Sequence, residues 1–254
     1  MDCTISDNKA GVNGGGIEVV SGTSTSAALT ITGGAITGNF ASYGGGVFNA
    51  STRLALNSCT ISGNTAKLGG GLYNSAEPFG PDSNYFNTAT FPFVATLTGD
   101  TLSNNSATTY GGAVFNLGKV TLAGSVLSGN SAKAGGGLAQ LQWQASKTNV
   151  PISSTAIMEG DTLSANRATT YGGGVLNEST LTLTGSTLSG NTAAAGGGGL
   201  ANVSAAFLYR NNPQYHNPPA YPGGKAVATL TNSTLHEIRA IPAGASSTNR
   251  AAWL

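Results

Sequence analysis

Hydrophobic and polar residues alternate along this chain in short runs, and the same run returns many times. In residues 180–202, Leu181 and Leu183 alternate with threonines, Leu188 lies between two hydroxyl residues, and Leu200 follows a glycine cluster. Alternation with a period of two is typical of strands that bury one face. The pattern therefore predicts about three short strands in each unit of about 25 residues, joined by turns rich in Gly, Ser and Asn, and no helix.

Seven copies of this unit follow one another, and an asparagine ahead of a glycine cluster marks each copy. A unit of this kind buries its apolar face only by stacking on its neighbours, which predicts an all-β parallel β-helix. We expect the asparagines to form an internal ladder in which each amide bonds the coils above and below. They are Asn8, Asn39, Asn64, Asn105, Asn130, Asn166 and Asn191. The aliphatic residues after the glycines are expected to form one inward ladder: Ile17, Val47, Leu72, Val114, Leu138, Val175 and Leu200.

Insertions lengthen alternate units, because successive asparagines are 31, 25, 41, 25, 36 and 25 residues apart. The extra residues follow the strand after the glycines, at about 18–28, 75–95, 141–156 and 203–227. We expect residues 1–234 to form one β-helix of about eight coils. Residues 235–254 lose the repeat and are expected to be a degenerate last coil, a cap or a tail.

The insertions hold eight of the nine prolines and ten of the eighteen aromatic residues. Loops on one edge of a solenoid are common binding sites, but aromatic residues there can also shield the side of the helix. Both interpretations stay open. The candidate binding residues are Tyr85, Phe86, Trp143, Tyr209, Tyr215 and Tyr221.

The two cysteines occupy the same position in two repeats. Aligning the repeats places Cys3 and Cys59 two coils apart, with the coil that carries Gly34 between them. Two strand spacings amount to about 10 Å, which exceeds the Cα separation of about 7 Å that a disulfide can bridge. We therefore predict two free thiols that are buried as small apolar side chains.

Charge is scarce in this chain. Charged residues make up 8%, and 11 basic against 10 acidic residues leave a net charge of +1. This balance argues against nucleic acid or an anionic membrane as a partner, and no apolar run is long enough to span a bilayer. Few charges and many Thr, Ser and Asn residues suit a protein outside the cell. The chain begins within a repeat, so we expect it to be part of a longer protein whose signal and anchor lie beyond its ends.

Candidate catalytic groups are few. Asp100 and Asp161 fall at the same position of two coils, with the coil of Ser125 between them, so they should be about 10 Å apart. That is slightly beyond the separation of an inverting carboxylate pair and too far for one shared metal, even with Glu159 nearby. We expect turn residues, and no catalytic residue, metal or cofactor. A polysaccharide lyase or hydrolase stays as a minor alternative.

Threonine pairs recur on the second strand and suggest a further alternative. They are Thr30 with Thr32, Thr96 with Thr98, Thr182 with Thr184, and Thr229 with Thr231. Such a ladder resembles ice-binding β-solenoids. Outward threonines are also what β-propensity alone predicts, and three intervening coils interrupt the array.

Two segments carry a resemblance to a known family. Residues 64–74 (NTAKLGGGLYN) and 110–116 (YGGAVFN) resemble the repeats of chlamydial polymorphic membrane proteins. They are also similar to repeats in large bacterial surface proteins with right-handed β-helix domains. The resemblance covers residues 3 to about 203 and implies a right-handed β-helix displayed at the surface as an autotransported adhesin. Only Gly111–Val114 matches the family motif G-G-A-[ILV], and the F-x-x-N motif is absent.

These observations predict a non-enzymatic, extracellular β-helix on a bacterial surface, with an adhesin-like binding or display role. The expected partner is a glycan or a protein of a host or neighbouring cell. The main alternative is a structural fibre, a homo-oligomer or filament in which uncapped coils stack end to end.

Overall fold

The structure, a computed structural model, describes residues 3–20, 27–50, 53–75, 93–144, 151–204, 225–236 and 239–240. These residues form β-strands and turns, and no helix occurs among them. Four parallel sheets contain all strands except one short antiparallel hairpin. The all-β, parallel, stacked architecture predicted from the repeats is therefore present.

The chain passes through the four sheets in a fixed order, and we number them in that order. Sheet 1 has eight strands: β1 (Thr4–Ser6), β4 (Ala35–Thr37), β7 (Thr60–Ser62), β11 (Thr101–Ser103), β15 (Val126–Ser128), β21 (Thr162–Ser164), β25 (Thr187–Ser189) and β29 (Thr234–His236). Sheet 2 has six strands: β8 (Thr65–Leu68), β12 (Ser106–Tyr110), β16 (Ser131–Ala132), β22 (Arg167–Ala168), β26 (Thr192–Ala193) and β30 (Arg239–Ala240).

Sheets 3 and 4 complete each coil. Sheet 3 has seven strands: β2 (Ile17–Val20), β5 (Val47–Ala50), β9 (Leu72–Asn74), β13 (Val114–Asn116), β17 (Leu138–Gln140), β23 (Val175–Asn177) and β27 (Leu200–Asn202). Sheet 4 has seven strands: β3 (Ala28–Thr32), β6 (Arg53–Asn57), β10 (Val94–Thr98), β14 (Lys119–Ala123), β20 (Thr155–Glu159), β24 (Thr180–Thr184) and β28 (Val227–Thr231). The hairpin pairs β18 (Trp143–Gln144) with β19 (Pro151–Ile152).

From β7 to β28 each coil has four strands, so the prediction of three strands per repeat was wrong for these coils; in the first two coils isolated bridges stand in place of the sheet 2 strand. The missed strand is the one in sheet 2 that follows each asparagine. It is only two residues long in β16, β22 and β26, where a polar residue precedes an alanine. Such a pair is too short and too weakly apolar to show an alternation in the sequence. Pairing with the equivalent pair of the next coil, Ser131 with Arg167 for example, is what makes it a strand.

The interior of the coils is filled by aliphatic side chains from sheets 1, 3 and 4. The aliphatic residues that follow the glycines lie in register in sheet 3, as Val47 with Leu72 and Val114 with Leu138 show. The central members of this ladder are fully buried, whereas Ile17 and Leu200 near its two ends are partly buried. The inward ladder expected from the sequence is therefore confirmed.

The glycine clusters lie where sheet 2 passes into sheet 3, and the close approach of successive coils requires them. A Cβ atom on Gly45 would lie 2.5 Å from the carbonyl oxygen of Thr65 and 2.6 Å from that of Gly70. The preceding Gly44 has a φ of +63°, a left-handed conformation that L-residues with side chains rarely adopt. The glycines therefore set both the turn and the spacing between coils.

The insertions connect sheet 3 to sheet 4, since they fall between β2 and β3, β9 and β10, β17 and β20, and β27 and β28. Residues 21–26, 76–92, 145–150 and 205–224 lie outside the described residues, as do 241–254. The proposed limits of the insertions and of the terminal segment therefore stay predictions.

The cysteines align as expected. Thr4 pairs with Ala35, which pairs with Thr60, so the preceding residues Cys3, Gly34 and Cys59 occupy one position in three successive coils. Both thiols are free. Cys59 is buried, but Cys3 is exposed, which corrects the prediction of two buried thiols. Cys3 precedes the edge strand of sheet 1, where no described coil covers it.

Candidate functional site

The predicted aromatic binding residues fall on the connections between sheets 3 and 4. Five of them lie outside the described residues: Tyr85, Phe86, Tyr209, Tyr215 and Tyr221. Trp143 lies in strand β18, where its backbone pairs with Ile152 of the hairpin. Their role in binding stays a prediction.

The repeat asparagines lie at the junction of sheets 1 and 2. In each step, the backbone N–H and the Nδ2 of one asparagine both donate to the Oδ1 of the next. For Asn39 and Asn64 these distances are 2.9 and 3.0 Å. The same Nδ2 also donates to a main-chain carbonyl, that of Ile5 at 3.0 Å. The chain of bonds runs through Asn8, Asn39, Asn64, Asn105, Asn130, Asn166 and Asn191. Because these amides bond one another and the backbone, the ladder is structural rather than a ligand site.

A second amide ladder lies at the ends of the sheet 3 strands. Asn49 Nδ2 donates to Asn74 Oδ1 at 2.7 Å, and Asn74 Nδ2 donates to Asn116 Oδ1 at 2.8 Å. Gln140 replaces asparagine in the next coil, and Asn177 bonds Asn202 at 2.7 Å. The sequence carries the signal, since four of these six strands end in Asn, but it did not show that the side chains point inward.

Asp100 and Asp161 belong to a third polar ladder, at the turn between sheets 4 and 1. Asp100 Oδ1 accepts the backbone N–H of Cys59 at 2.7 Å, and Asp161 Oδ1 accepts that of Ser125 at 2.6 Å. The backbone N–H groups of Asp100 and Asp161 donate to the hydroxyls of Ser125 and Ser186. The two carboxyl groups therefore bind turns, on either side of the Ser125 coil, as the alignment predicted.

Burial changes the acidity of these carboxyl groups. Desolvation raises the pKa of Asp100, and it raises that of Asp161 from 3.8 to about 6, with a smaller contribution from the nearby Glu159 charge. Hydrogen bonds from backbone N–H groups oppose the rise in both cases. The second oxygen of each carboxyl group, Oδ2, is buried without a hydrogen-bond partner in the described part of the protein. A protonated Oδ2 loses less solvation energy there than a charged one.

Glu178 is a third buried carboxyl group, in the turn after β23. Burial raises its pKa from 4.5 to about 8, opposed by a hydrogen bond to the backbone of Gln142. Gln142 directly precedes the hairpin strand β18. Glu178 therefore connects the coil to the residue that precedes the hairpin. A single Glu in a turn gives no signal of this role in the sequence.

None of these carboxyl groups is placed like a catalytic pair. Asp100 and Asp161 are each only 1% exposed and are separated by the Ser125 position. No group of three or more His, Cys, Asp or Glu residues that could hold a metal occurs among the residues described. The arrangement stabilises turns and offers no carboxylate to a bound sugar.

The threonine pairs of sheet 4 are in register and face outward. Thr30, Thr96, Thr182 and Thr229 lie in one row, and Thr32, Thr98, Thr184 and Thr231 lie in the next. The intervening coils place Ala55, Thr121 and Ile157 in the first row. Ala55 and Ile157 therefore interrupt the first row, and Asn57, Ala123 and Glu159 interrupt the second, as predicted.

Aromatic residues also occur within the coils, where sequence inspection overlooked them. Phe48, Tyr73 and Phe115 pair along sheet 3, with ring centroids 5.0 and 5.1 Å apart. They are buried on the opposite face of the strands from the inward aliphatic ladder. Sheet 3 is thus buried on both faces, and these rings stabilise the stack.

The outward face of sheet 2 carries an open groove of about 370 Å³. Lys133 and Arg167 line it together with Thr108, Ser131 and Thr169. The alanines of the same strands, such as Ala132 and Ala168, are buried on the inner face. The groove was not apparent in the sequence because its residues come from three different repeats.

Comparison with known families agrees with the repeat pattern. The model of the Chlamydia polymorphic membrane protein repeat matches three segments, residues 2–19, 58–75 and 101–117. The second and third segments each span one strand of sheets 1, 2 and 3. The match confirms the resemblance to this repeat at three places, which together make up about a fifth of the chain. No curated protein and no solved structure gives a significant match.

The described residues contain no helix long and apolar enough to cross a membrane.

Proposed function

We propose that this chain is a non-enzymatic segment of a bacterial surface protein, a right-handed β-helix of about eight coils that displays adhesin-like binding surfaces outside the cell. The observation that carries the proposal is the match of three segments to the polymorphic membrane protein repeat, within a stacked parallel β-architecture. A rigid solenoid holds its outer faces and edge loops at fixed intervals, which suits contact with an extended partner.

The environment of the acidic groups supports a non-enzymatic role. The buried carboxyl groups Asp100 and Asp161 bind backbone amides, and Glu178 lies under the hairpin base. A general acid or nucleophile must reach the substrate, and side chains that are 1% or 3% exposed do not. The low charge and the many hydroxyl and amide residues support an extracellular location.

The expected partner is a glycan or a protein on a host or neighbouring cell. The inserted connections all leave and re-enter the helix between sheets 3 and 4, so they begin and end at one edge of the coils. Aromatic side chains provide large contact areas at low entropic cost. We propose Tyr85, Phe86, Trp143, Tyr209, Tyr215 and Tyr221 as contact residues.

Adhesion of protein-coated beads to cultured cells tests this proposal. We expect beads with the native chain to adhere above beads with an unrelated β-solenoid. The double variant Trp143→Ala/Tyr215→Ala should lose adhesion while its thermal midpoint stays unchanged. Native beads that bind no better than the control would contradict the adhesin function. A strongly lowered midpoint would show that the aromatic residues shield the helix instead.

End-to-end association is a second candidate, favoured by the exposed interior of the last described coil. Leu230 and Leu235 are 40% and 38% exposed, although their neighbours in register, Leu183 and Leu188, are fully buried. A second copy stacked there would cover them and pair with open strand edges. Sedimentation should then show concentration-dependent oligomers that Leu230→Lys abolishes. A monomer at all concentrations would exclude this candidate.

A further inference from the structure

The basic residues of this nearly neutral chain are concentrated on one sheet. Of the eight Lys and Arg residues that the structure describes, five lie along the line of sheet 2. They are Lys9, Lys67, Lys133, Arg167 and Arg239. No acidic residue occurs in the strands of this sheet. Although the net charge is only +1, sheet 2 therefore carries a local excess of positive charge.

Pairing between coils places Lys9 and Arg167 in one row along the helix axis, and Lys67 and Lys133 lie two residues beyond Thr65 and Ser131 of that row. Isolated bridges join Lys9 to Phe40 and Phe40 to Thr65, and sheet 2 then continues through Ser106 and Ser131 to Arg167. Five strand spacings give this row a length of about 24 Å. The ligand that matches such a row is linear and carries repeated negative charges.

The centre of the row is the groove of about 370 Å³. Ser131 pairs with Arg167, so Lys133 lies two residues further along its strand and one coil away from Arg167. One strand spacing and the rise over two residues place their Cα atoms about 8 Å apart. Both side chains are exposed, and neither has an ion pair or hydrogen bond with another side chain in the described ranges. Two free cations that line one groove can bind one anionic group together.

The remaining lining of the groove suits a sugar. Thr108, Ser131 and Thr169 present hydroxyl groups, which can donate to and accept from sugar hydroxyls. No aromatic side chain lines the groove, so it has no platform on which a nucleic-acid base could stack. The only apolar lining comes from Ala107 and Ala132, too small to anchor a peptide side chain.

From this geometry we propose that sheet 2 is a binding face for a linear anionic glycan, with its carboxylate or sulfate groups held by Lys133 and Arg167. Lys67, two coils from Lys133, extends the contact by about 10 Å. The inference rests on the proposed surface-binding function. It names the class of ligand and places that ligand on sheet 2 rather than on the inserted connections.

Binding of the full chain to immobilised glycans tests the proposal. The probes are heparin, which is sulfated, polygalacturonate, which carries carboxylates only, and dextran, which is neutral. We expect retention on one or both anionic glycans at physiological salt and none on dextran. Binding to heparin alone identifies sulfate as the group recognised, and binding to both identifies any anionic group. No retention of the native chain on either would overturn the proposal.

A matched pair of double variants separates the groove from overall charge. Lys133→Gln/Arg167→Gln removes two positive charges from sheet 2. Arg53→Gln/Lys119→Gln removes two from the outward face of sheet 4, where both residues are also exposed. We expect the first variant to bind at least about tenfold more weakly and the second to stay within about twofold. Equal losses in both variants would show that only net charge matters and would contradict a site in sheet 2.

Three further measurements complete the test. Thr169→Glu, which places a negative charge in the groove, should weaken binding as well, with an unchanged circular dichroism spectrum. Stronger competition by double-stranded DNA than by heparin would show that the ligand class is wrong. Cell adhesion distinguishes the two proposals: if Lys133→Gln/Arg167→Gln keeps both its glycan binding and its cell adhesion, the sheet 2 site alone is rejected. Native glycan binding without cell adhesion rejects the adhesin function alone.

Discussion

Replacing Asn130 by leucine removes one step from the middle of the asparagine ladder. Asn130 Oδ1 accepts the backbone N–H of Asn105 at 2.9 Å and its Nδ2 at 3.1 Å. Asn130 Nδ2 donates to the carbonyl oxygen of Leu102 at 2.9 Å and to Asn166 Oδ1 at 3.0 Å. All of these bonds are buried. The substitution therefore removes the side-chain partner of two buried backbone groups, the N–H of Asn105 and the carbonyl of Leu102.

The expected loss of stability follows from these two groups. Losing the partner of a buried polar group costs about 1 to 3 kcal/mol, so Asn130→Leu should lower the free energy of unfolding by about 2 to 6 kcal/mol. Leucine is slightly larger than asparagine and offers no compensating bond. Urea unfolding followed by circular dichroism measures the loss, and hydrogen exchange of the Asn105 amide should accelerate.

Asn8 provides the matched control, because it is exposed and begins the described ladder. It donates to Asn39 Oδ1 at 2.9 and 3.0 Å, and solvent can replace these bonds. Asn8→Leu should cost less than about 1 kcal/mol. If Asn130→Leu and Asn8→Leu lower stability equally, the argument that buried ladder bonds hold the coils together is wrong.

Further predictions concern buried carboxyl groups and coil spacing. Since the folded-state pKa of Glu178 is raised from 4.5 to about 8, its protonated form stabilises the fold fully below pH 4.5, and that stabilisation is lost as the pH rises to about 8. Glu178→Gln should therefore raise the thermal midpoint at pH 8 but not at pH 4; an equal change at both values would contradict this. Asp161→Asn should act likewise between pH 3.8 and about 6, measured in the same melts. Gly45→Ala should cost more than about 2 kcal/mol in urea unfolding, because its Cβ would meet backbone oxygens. Gly11→Ala, where no atom lies within 4 Å of the added Cβ, is the control and should change stability by less than about 0.5 kcal/mol.

Much of the fold could be predicted because each repeat has the same alternation of apolar and polar residues. Leu181 and Leu183 alternate with threonines, and both side chains are fully buried in the interior. The equal position of Cys3 and Cys59 followed from counting residues, since stacking in register converts sequence alignment into spatial alignment. Periodicity therefore supplied the long-range contacts that a non-repetitive chain would not reveal.

The burial of side chains on the outer face or at the end of a strand could not be predicted, because it depends on which other residues pack there. Phe48 and Tyr73 alternate with inward residues, and such positions usually face solvent, yet both side chains are fully buried. Asn74 and Asn116 resembled ordinary strand ends, but the turn into sheet 4 brings them together inside the protein. In each case the deciding contact comes from the strand of a neighbouring coil rather than from the strand itself.

The groove of sheet 2 could not be predicted either, because the residues that line it are far apart in the sequence. Lys133 and Arg167 are 34 residues apart, and they meet only because the insertion before β20 leaves the register of the next coil intact. The three buried ladders occupy the junctions between sheets and leave their side chains no freedom to bind a ligand. Adaptation to a partner is therefore confined to outward strand positions and to the inserted connections. On a body with so little charge, a few aligned cations dominate the local field, and their contribution to binding should fall as salt is added.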